Sequence, residues 1–157
     1  SRAHSPGIRD SVPDFLHDMS KLFTPRSLPG SVSFGLLMVR LSMGIAFVLH
    51  GWPKMQNLTT WGADFGYPEW AQAAAAIAEF GGGIFLALGL LTPLAALGLG
   101  ATMAVALQYH LDAGHPFVAR QTPCWELPAI YMAASILILF SGPGRLSADA
   151  KLFPGKT

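Results

Sequence analysis

The chain has 157 residues and a mass of 16.7 kDa, which is enough for about one domain. Apolar residues make up 52% of the chain and charged residues only 12%, whereas a soluble domain usually carries roughly 25% charged residues. The net charge is +1 and no basic run is present, which argues against a nucleic-acid binder. The single cysteine, Cys124, excludes a disulfide scaffold and a CxxC motif within the chain. The composition therefore indicates an integral membrane protein.

Four apolar stretches have about the length that an α-helix needs to cross a bilayer. They cover residues 32–49, 70–91, 93–111 and 125–141. Lipid offers no hydrogen bonds to the backbone, so a segment that crosses it is expected to be helical. The sequence predicts an all-α fold, an integral membrane four-helix bundle.

Residues 1–30 have a different character, with several prolines and apolar side chains at helical spacing. We expect a short amphipathic helix here, which either lies in the membrane interface or docks on a partner subunit. The predicted organisation is an N-terminal extension over residues 1–30, a four-helix domain over 31–145 and a cytoplasmic tail over 146–157.

Two junctions can be predicted from their residue types. Thr92 followed by Pro93 suggests a helix N-cap and a first helical position, so the second and third spans should form a tight antiparallel hairpin. The segment 142–144, Gly-Pro-Gly, should end the fourth helix sharply.

The positive charges predict the orientation of the bundle. Seven of the ten lysine and arginine residues lie in the two tails, and the long loops hold only Lys54 and Arg120. By the positive-inside rule both termini should be cytoplasmic and the long loops should face outward. All four tryptophans then fall on the outer side, as an aromatic interface belt or as the lining of a site.

Two charged residues interrupt the apolar spans. Arg40 lies about 18 Å before Trp52, and Glu79 lies about 14 Å after Trp70, at 1.5 Å per residue. Because the first two spans are antiparallel, we expect an Arg40–Glu79 pair at similar depth. Such a pair either locks the bundle or forms a proton or ligand site.

A second group of polar side chains is predicted at the outer ends of the spans, where His50, Lys54, His110 and Glu126 should converge. These groups could hydrogen-bond the carbonyls of a quinone or carry its protons. His50, His110 and Glu126 also match a zinc or copper ligand set, and two histidines could ligate a haem. The blander interpretation is a set of interfacial side chains. Neither HxxxH nor HExxH occurs, so we assign no metal.

Several short motifs follow one another in a particular order along the chain. They are Arg40-x-x-x-Gly44-x-x-Phe47-x-x-His50-Gly51-x-x-Lys54, then Glu79-x-x-Gly82-Gly83, then residues 89–93, then Met103, Ala106 and His110, then Trp125-Glu126, and finally Gly142-Pro143-Gly144-x-x-Ser147-x-Asp149. Over residues 36–149 this order resembles the DoxX family of small four-helix bacterial membrane proteins. The extension and the Pro123-Cys124 step before Trp125 depart from the family pattern.

The resemblance implies a location in the bacterial inner (cytoplasmic) membrane. Some family members are linked to thiosulfate:quinone oxidoreductase and others to oxidative-stress complexes. The resemblance also implies a ligand-binding role for six residues: Arg40, His50, Lys54, Glu79, His110 and Glu126.

Three functions follow as hypotheses. The first is an accessory subunit of a respiratory or other redox membrane complex, which binds a quinone near the outer face. The sequence contains no flavin, nucleotide or iron–sulfur motif, so we expect no intrinsic cofactor, and any quinone-linked oxidoreductase activity would need a partner. The second is a purely structural subunit, and the third is a small transporter or proton pathway. The expected partners are lipid, other membrane subunits and, as an alternative, further copies of the chain.

Overall fold

The computed structural model describes residues 28–153, so the predicted N-terminal amphipathic helix lies outside the described residues. Four helices account for most of that range; the connection between the second and third is short, and the other two are longer loops. The helices are α1 (Gly30–Gln56), α2 (Glu69–Leu88), α3 (Thr92–Asp112) and α4 (Glu126–Ser141), followed by a single turn, α5 (Ala148–Leu152). A 3₁₀ turn, Ala63–Phe65, lies in the loop after α1. Residues 28–153 contain no β-strand, so the all-α prediction is confirmed for this part of the chain.

Three of these helices, α1, α2 and α3, are long and apolar enough to cross a membrane. The fourth, α4, is apolar but has only 16 residues, which corresponds to about 24 Å of helix. A typical hydrocarbon core is about 30 Å thick. The predicted membrane spans are therefore supported for α1 to α3, and α4 is a shorter apolar helix.

The helices pack in chain order, α1 on α2, α2 on α3 and α3 on α4, and α1 has only a small contact with α4. The buried apolar core lies between them and comprises Met43, Phe47, Leu86, Ala95, Ala96, Leu99, Met103 and Ile138. The rings of Phe47 and Tyr131, whose centroids are 5.0 Å apart, join α1 to α4. Large apolar side chains also cover the outside of the bundle, as a lipid-facing surface requires.

Glycines set the register between α1 and α2. A Cβ atom placed on Gly44 would lie 2.7 Å from the carbonyl oxygen of Gly83, and one placed on Gly51 would lie 2.6 Å from the backbone nitrogen of Phe80. These separations leave no room for a side chain, so the two backbones touch directly. Small residues allow this close approach in membrane helices, where dispersion contacts replace the hydrophobic effect. The resulting register decides which polar groups can meet across the interface.

The hairpin between α2 and α3 differs from its prediction in one respect. Leu91, not Thr92, is the N-cap residue of α3, and it has a left-handed backbone with φ 47°. The Asp149 carboxylate accepts hydrogen bonds from the backbone N–H groups of Leu91 and Thr92, at 2.7 and 2.8 Å. A carboxylate from the far end of the chain therefore caps α3, and the Thr92 hydroxyl is buried without a hydrogen-bond partner in the structure.

Candidate functional site

Arg40 and Glu79 do not pair, so the predicted intramembrane ion pair is wrong. The Arg40 guanidinium is buried and donates hydrogen bonds to the backbone carbonyls of Pro143 and Leu146, the second at 2.6 Å. Glu79 instead accepts a hydrogen bond from Lys54. Arg40 and Lys54 are about 21 Å apart along α1, so the two charges belong to opposite ends of the bundle.

The physical reason for this difference is the glycine-set register. Gly51 lies against the backbone of Phe80, which brings the C-terminal end of α1 level with Glu79. The same register places Arg40 beside Gly89, where an added Cβ would lie 2.5 Å from its Nη1 atom. The sequence prediction placed Arg40 and Glu79 at the same depth by counting residues from the nearest tryptophan. Such counting could not detect the shift of α1 along α2 that separates them.

The ion pair that does form joins Lys54 of α1 to Glu79 of α2. The Lys54 Nζ and Glu79 Oε1 atoms are 2.6 Å apart, and the side chains are 24% and 5% exposed. The second carboxylate oxygen, Oε2, is buried and has no hydrogen-bond partner. The Lys54 ammonium also lies 4.3 Å from the centroid of the Trp61 ring, a cation–π contact. Lys54 and Glu79 were both candidate site residues, but their pairing was not predicted.

Gln72 organises the loop that holds Trp61 over this pair. The Trp61 indole N–H donates to the Gln72 backbone carbonyl at 2.9 Å. The Gln72 side chain accepts from the Gly62 N–H at 2.8 Å and donates to the Tyr67 carbonyl at 2.9 Å. The sequence analysis did not single out Gln72. The available signal was a lone amide in an alanine-rich apolar helix beside an aromatic loop.

Aromatic rings continue from Trp61 towards α3. Phe65 lies between Trp61 and Tyr109, with ring centroids 6.3 and 5.0 Å away. Tyr109 in turn contacts His110, and the Nδ1 atoms of His110 and His115 are 2.9 Å apart. His115 was not a predicted site residue. Two of the four residues predicted to converge, Lys54 and His110, therefore pair with other residues, Glu79 and His115, and aromatic rings lie between these two centres.

The other two predicted residues, His50 and Glu126, take no part in the ion pair or hydrogen bonds of these centres within residues 28–153. His50 is exposed on α1, and Glu126 is half-buried at the start of α4, where its backbone N–H donates to the Phe117 carbonyl. Within residues 28–153, no hydrogen bond or ion pair connects the side chains of His50 or Glu126 to either centre. The same range contains no group of three or more His, Cys, Asp and Glu residues able to hold a metal ion.

The Lys54–Glu79 centre has a defined chemical capacity. Buried carboxylate oxygens normally have hydrogen-bond partners, because leaving an acceptor unsatisfied costs about 1–3 kcal/mol. The Glu79 Oε2 atom has no such partner among the described residues. That oxygen can accept a hydrogen bond from a ligand hydroxyl or take up a proton. The ammonium offers three N–H donors, of which one reaches Glu79.

Packed apolar helices, three of them long enough to cross a membrane, define the class as a helical membrane protein. The DoxX family model matches residues 35–111, which include α2, most of α1 and nearly all of α3. Residues 35–111 therefore belong to the DoxX family, as the ordered motifs suggested. The match ends before α4, so the Trp125-Glu126 and Gly142–Asp149 motifs lie outside it. No curated protein and no solved structure gives a match to the chain.

Proposed function

We propose that this protein is an accessory subunit of a redox membrane complex and binds a quinone beside the Lys54–Glu79 pair. The observation that carries the proposal is the buried Glu79 Oε2 atom, which has no partner among the described residues and lies next to a half-buried ammonium and an indole ring. Intramembrane ionisable groups are expensive and are functional candidates by default.

Quinone chemistry suits these groups. An oxidised quinone has only acceptor oxygens and would use the N–H donors of Lys54. A reduced quinol has hydroxyl donors, for which the unpaired oxygen of Glu79 is an acceptor. The pair therefore offers one polar partner to each redox form. The two forms differ by two electrons and two protons, and Glu79 can hold one of these protons.

The surroundings of the pair suit a flat ring. Trp61 covers Lys54 on one side, and the rings of Trp52 and Phe80 lie near the same end of the α1–α2 interface, with centroids 5.7 Å apart. Aromatic side chains stack on planar rings at such distances. Quinone-binding sites need this combination of apolar walls and few polar groups.

The accessory role rests on the sequence. It contains no flavin, nucleotide or iron–sulfur motif, so electrons for a bound quinone would come from a partner subunit. We place the protein in the bacterial inner membrane with both termini cytoplasmic and the Lys54–Glu79 pair towards the outer face. The clustering of Lys and Arg in the tails supports this orientation.

Titration of the purified full-length chain with a short-chain quinone, followed by tryptophan fluorescence, tests the binding. Saturable binding is expected for the wild type, with at least tenfold weaker binding for Glu79→Gln and Lys54→Met. Glu69→Gln, an exposed carboxylate on the same helix, is the matched control and should bind as the wild type does. Absence of saturable wild-type binding would overturn the quinone proposal.

Native mass spectrometry of the protein released from its own membrane in mild detergent tests the accessory role. A stable assembly with other membrane subunits is expected, and a chain that runs alone contradicts it. An assembly combined with failure to bind quinone would favour the purely structural alternative. The transporter hypothesis loses its main support, because it was built on an Arg40–Glu79 pair that does not form.

A further inference from the structure

The two imidazoles of His110 and His115 form a close pair at the end of α3. Their Nδ1 atoms are 2.9 Å apart and their ring centroids are 5.0 Å apart. A hydrogen bond between two Nδ1 atoms needs a proton on one of them, and each neutral ring can shift its own proton to Nε2. In the structure one Nδ1 atom therefore donates and the other accepts, and both present a lone pair to a common partner once the bridging proton has shifted to Nε2.

The backbone at the end of α3 fixes this pair. The N–H of His115 donates to the carbonyl of His110 at 3.0 Å, and the N–H of Gly114 donates to the carbonyl of Leu111 at 3.0 Å. Gly114 has a left-handed backbone with φ 68°. This is the glycine-dependent reversal with which many helices end. This reversal places His115 beside the last turn of α3, so backbone hydrogen bonds hold the two histidines close together.

Neighbouring aromatic rings restrict both imidazoles. The Tyr109 ring lies 5.5 Å from His110 and 6.2 Å from His115, edge-on to both. Phe65, from the loop after α1, holds Tyr109 in turn with its centroid 5.0 Å away. Side chains whose orientations are fixed by packing lose less entropy when they bind a ligand.

We propose that His110 and His115 bind a first-row divalent metal ion, with Cu²⁺ preferred. Two nitrogens that bind one metal at about 2.0–2.1 Å are about 2.9 Å apart in neighbouring square-planar positions and about 3.3 Å apart in a tetrahedron. The observed spacing of 2.9 Å is that of an N–H···N hydrogen bond, and it also equals the spacing of neighbouring square-planar ligands, the geometry of Cu²⁺ with nitrogen and oxygen ligands. On binding, the metal ion replaces the proton between the two Nδ1 atoms, and small ring rotations that the aromatic contacts still allow aim both lone pairs at the ion.

The site is open. Since residues 28–153 contain no cluster of three His, Cys, Asp or Glu ligands, water would complete the coordination. Two protein ligands give moderate affinity, and the order of divalent affinities then favours Cu²⁺ over Zn²⁺ and Ni²⁺. This inference is independent of the proposed quinone site, because it uses neither Lys54 nor Glu79.

Titration of the full-length chain with Cu²⁺, monitored by electron paramagnetic resonance, tests the proposal. The titrations use a His4→Ala, His17→Ala background, so that the N-terminal histidines contribute nothing. We expect one Cu²⁺ per chain, a tetragonal spectrum with coupling to two nitrogens, and at least tenfold weaker binding for His110→Ala and for His115→Gln. His50→Ala, an exposed histidine on α1, should leave the affinity unchanged.

Gly114→Ala keeps both ligands but strains the backbone that positions them. No atom lies within 4 Å of a Cβ at Gly114, so the substitution acts through φ alone. We expect several-fold weaker Cu²⁺ binding by a protein whose thermal stability in detergent is close to that of the wild type. No one-to-one binding by the background protein, a spectrum without two coupled nitrogens, or equal affinity in His115→Gln would each overturn the proposal.

Discussion

The carboxylate of Asp149 caps the N-terminus of α3 by accepting a hydrogen bond from the Thr92 N–H at 2.8 Å. The two residues are 57 positions apart in the chain. Asp149 is fully buried and its own N–H donates to the Gly89 carbonyl at 2.8 Å. The first N–H groups of a helix have no partner within the helix, and a negative charge there also interacts favourably with the helix dipole. The segment after α4 therefore stabilises the turn between α2 and α3 through the hydrogen bonds of Asp149.

Replacement of Asp149 by alanine should destabilise the protein strongly. It removes the acceptors of the buried Thr92 N–H and the half-buried Leu91 N–H, and a buried donor left without a partner costs about 1–3 kcal/mol. Thermal unfolding in detergent should show a clear drop in Tm. Asp64→Ala, an exposed aspartate in the 3₁₀ turn, is the control and should change Tm little. Equal stability of the two variants would contradict the capping role.

Arg40→Lys should also destabilise the bundle, although it keeps the positive charge. The planar guanidinium reaches two carbonyls at once, those of Pro143 and Leu146, and an ammonium cannot reproduce that fork. We expect a loss of about 1–3 kcal/mol and faster proteolysis of the segment after α4. The exposed Arg145, changed to lysine, should behave as the wild type in both measurements. Unchanged protection of that segment in Arg40→Lys would refute the prediction.

The three consecutive glycines on α2 provide an internal comparison. A Cβ on Gly83 would lie 2.8 Å from the Gly44 carbonyl oxygen, whereas a Cβ on Gly81 meets nothing within 4 Å. Alanine is favoured over glycine in a helix by about 1 kcal/mol, so Gly81→Ala should be neutral or stabilising. Gly83→Ala should lower the unfolding temperature, because the helices must separate. If both variants shift Tm in the same direction, the result contradicts the direct backbone contact between Gly83 and Gly44.

Gln72→Ala should release the loop that carries Trp61. The substitution removes the side-chain bonds to Gly62 and Tyr67, so hydrogen exchange at the Gly62 amide should become faster. Trp61 should also become more accessible to a fluorescence quencher. Gln108→Ala, whose side chain makes only an exposed bond to Asp112, is the control and should leave both readouts unchanged.

The helices themselves were predictable from the sequence, because apolar length and the need to satisfy the backbone in lipid leave few alternatives. The predicted spans differ from the observed helices mainly at their ends, most clearly where α1 continues through Pro53 to Gln56. The candidate residues Lys54, Glu79 and His110 were also recognisable, since ionisable groups are rare in this chain. Their partners were not, because a pattern in one helix carries no information about the register of the next.

The low content of charged residues was enough, without any structure, to indicate a helical membrane protein and to single out a few polar residues as candidate site residues. Tertiary structure alone decided what each of those residues touches. The contacts of Gly44 with Gly83 and of Gly51 with Phe80 set the register of α1 against α2, which sends Arg40 to the closing segment and Lys54 to Glu79. Such backbone contacts depend on how two surfaces fit in three dimensions, and hydrophobic periodicity is insensitive to that fit.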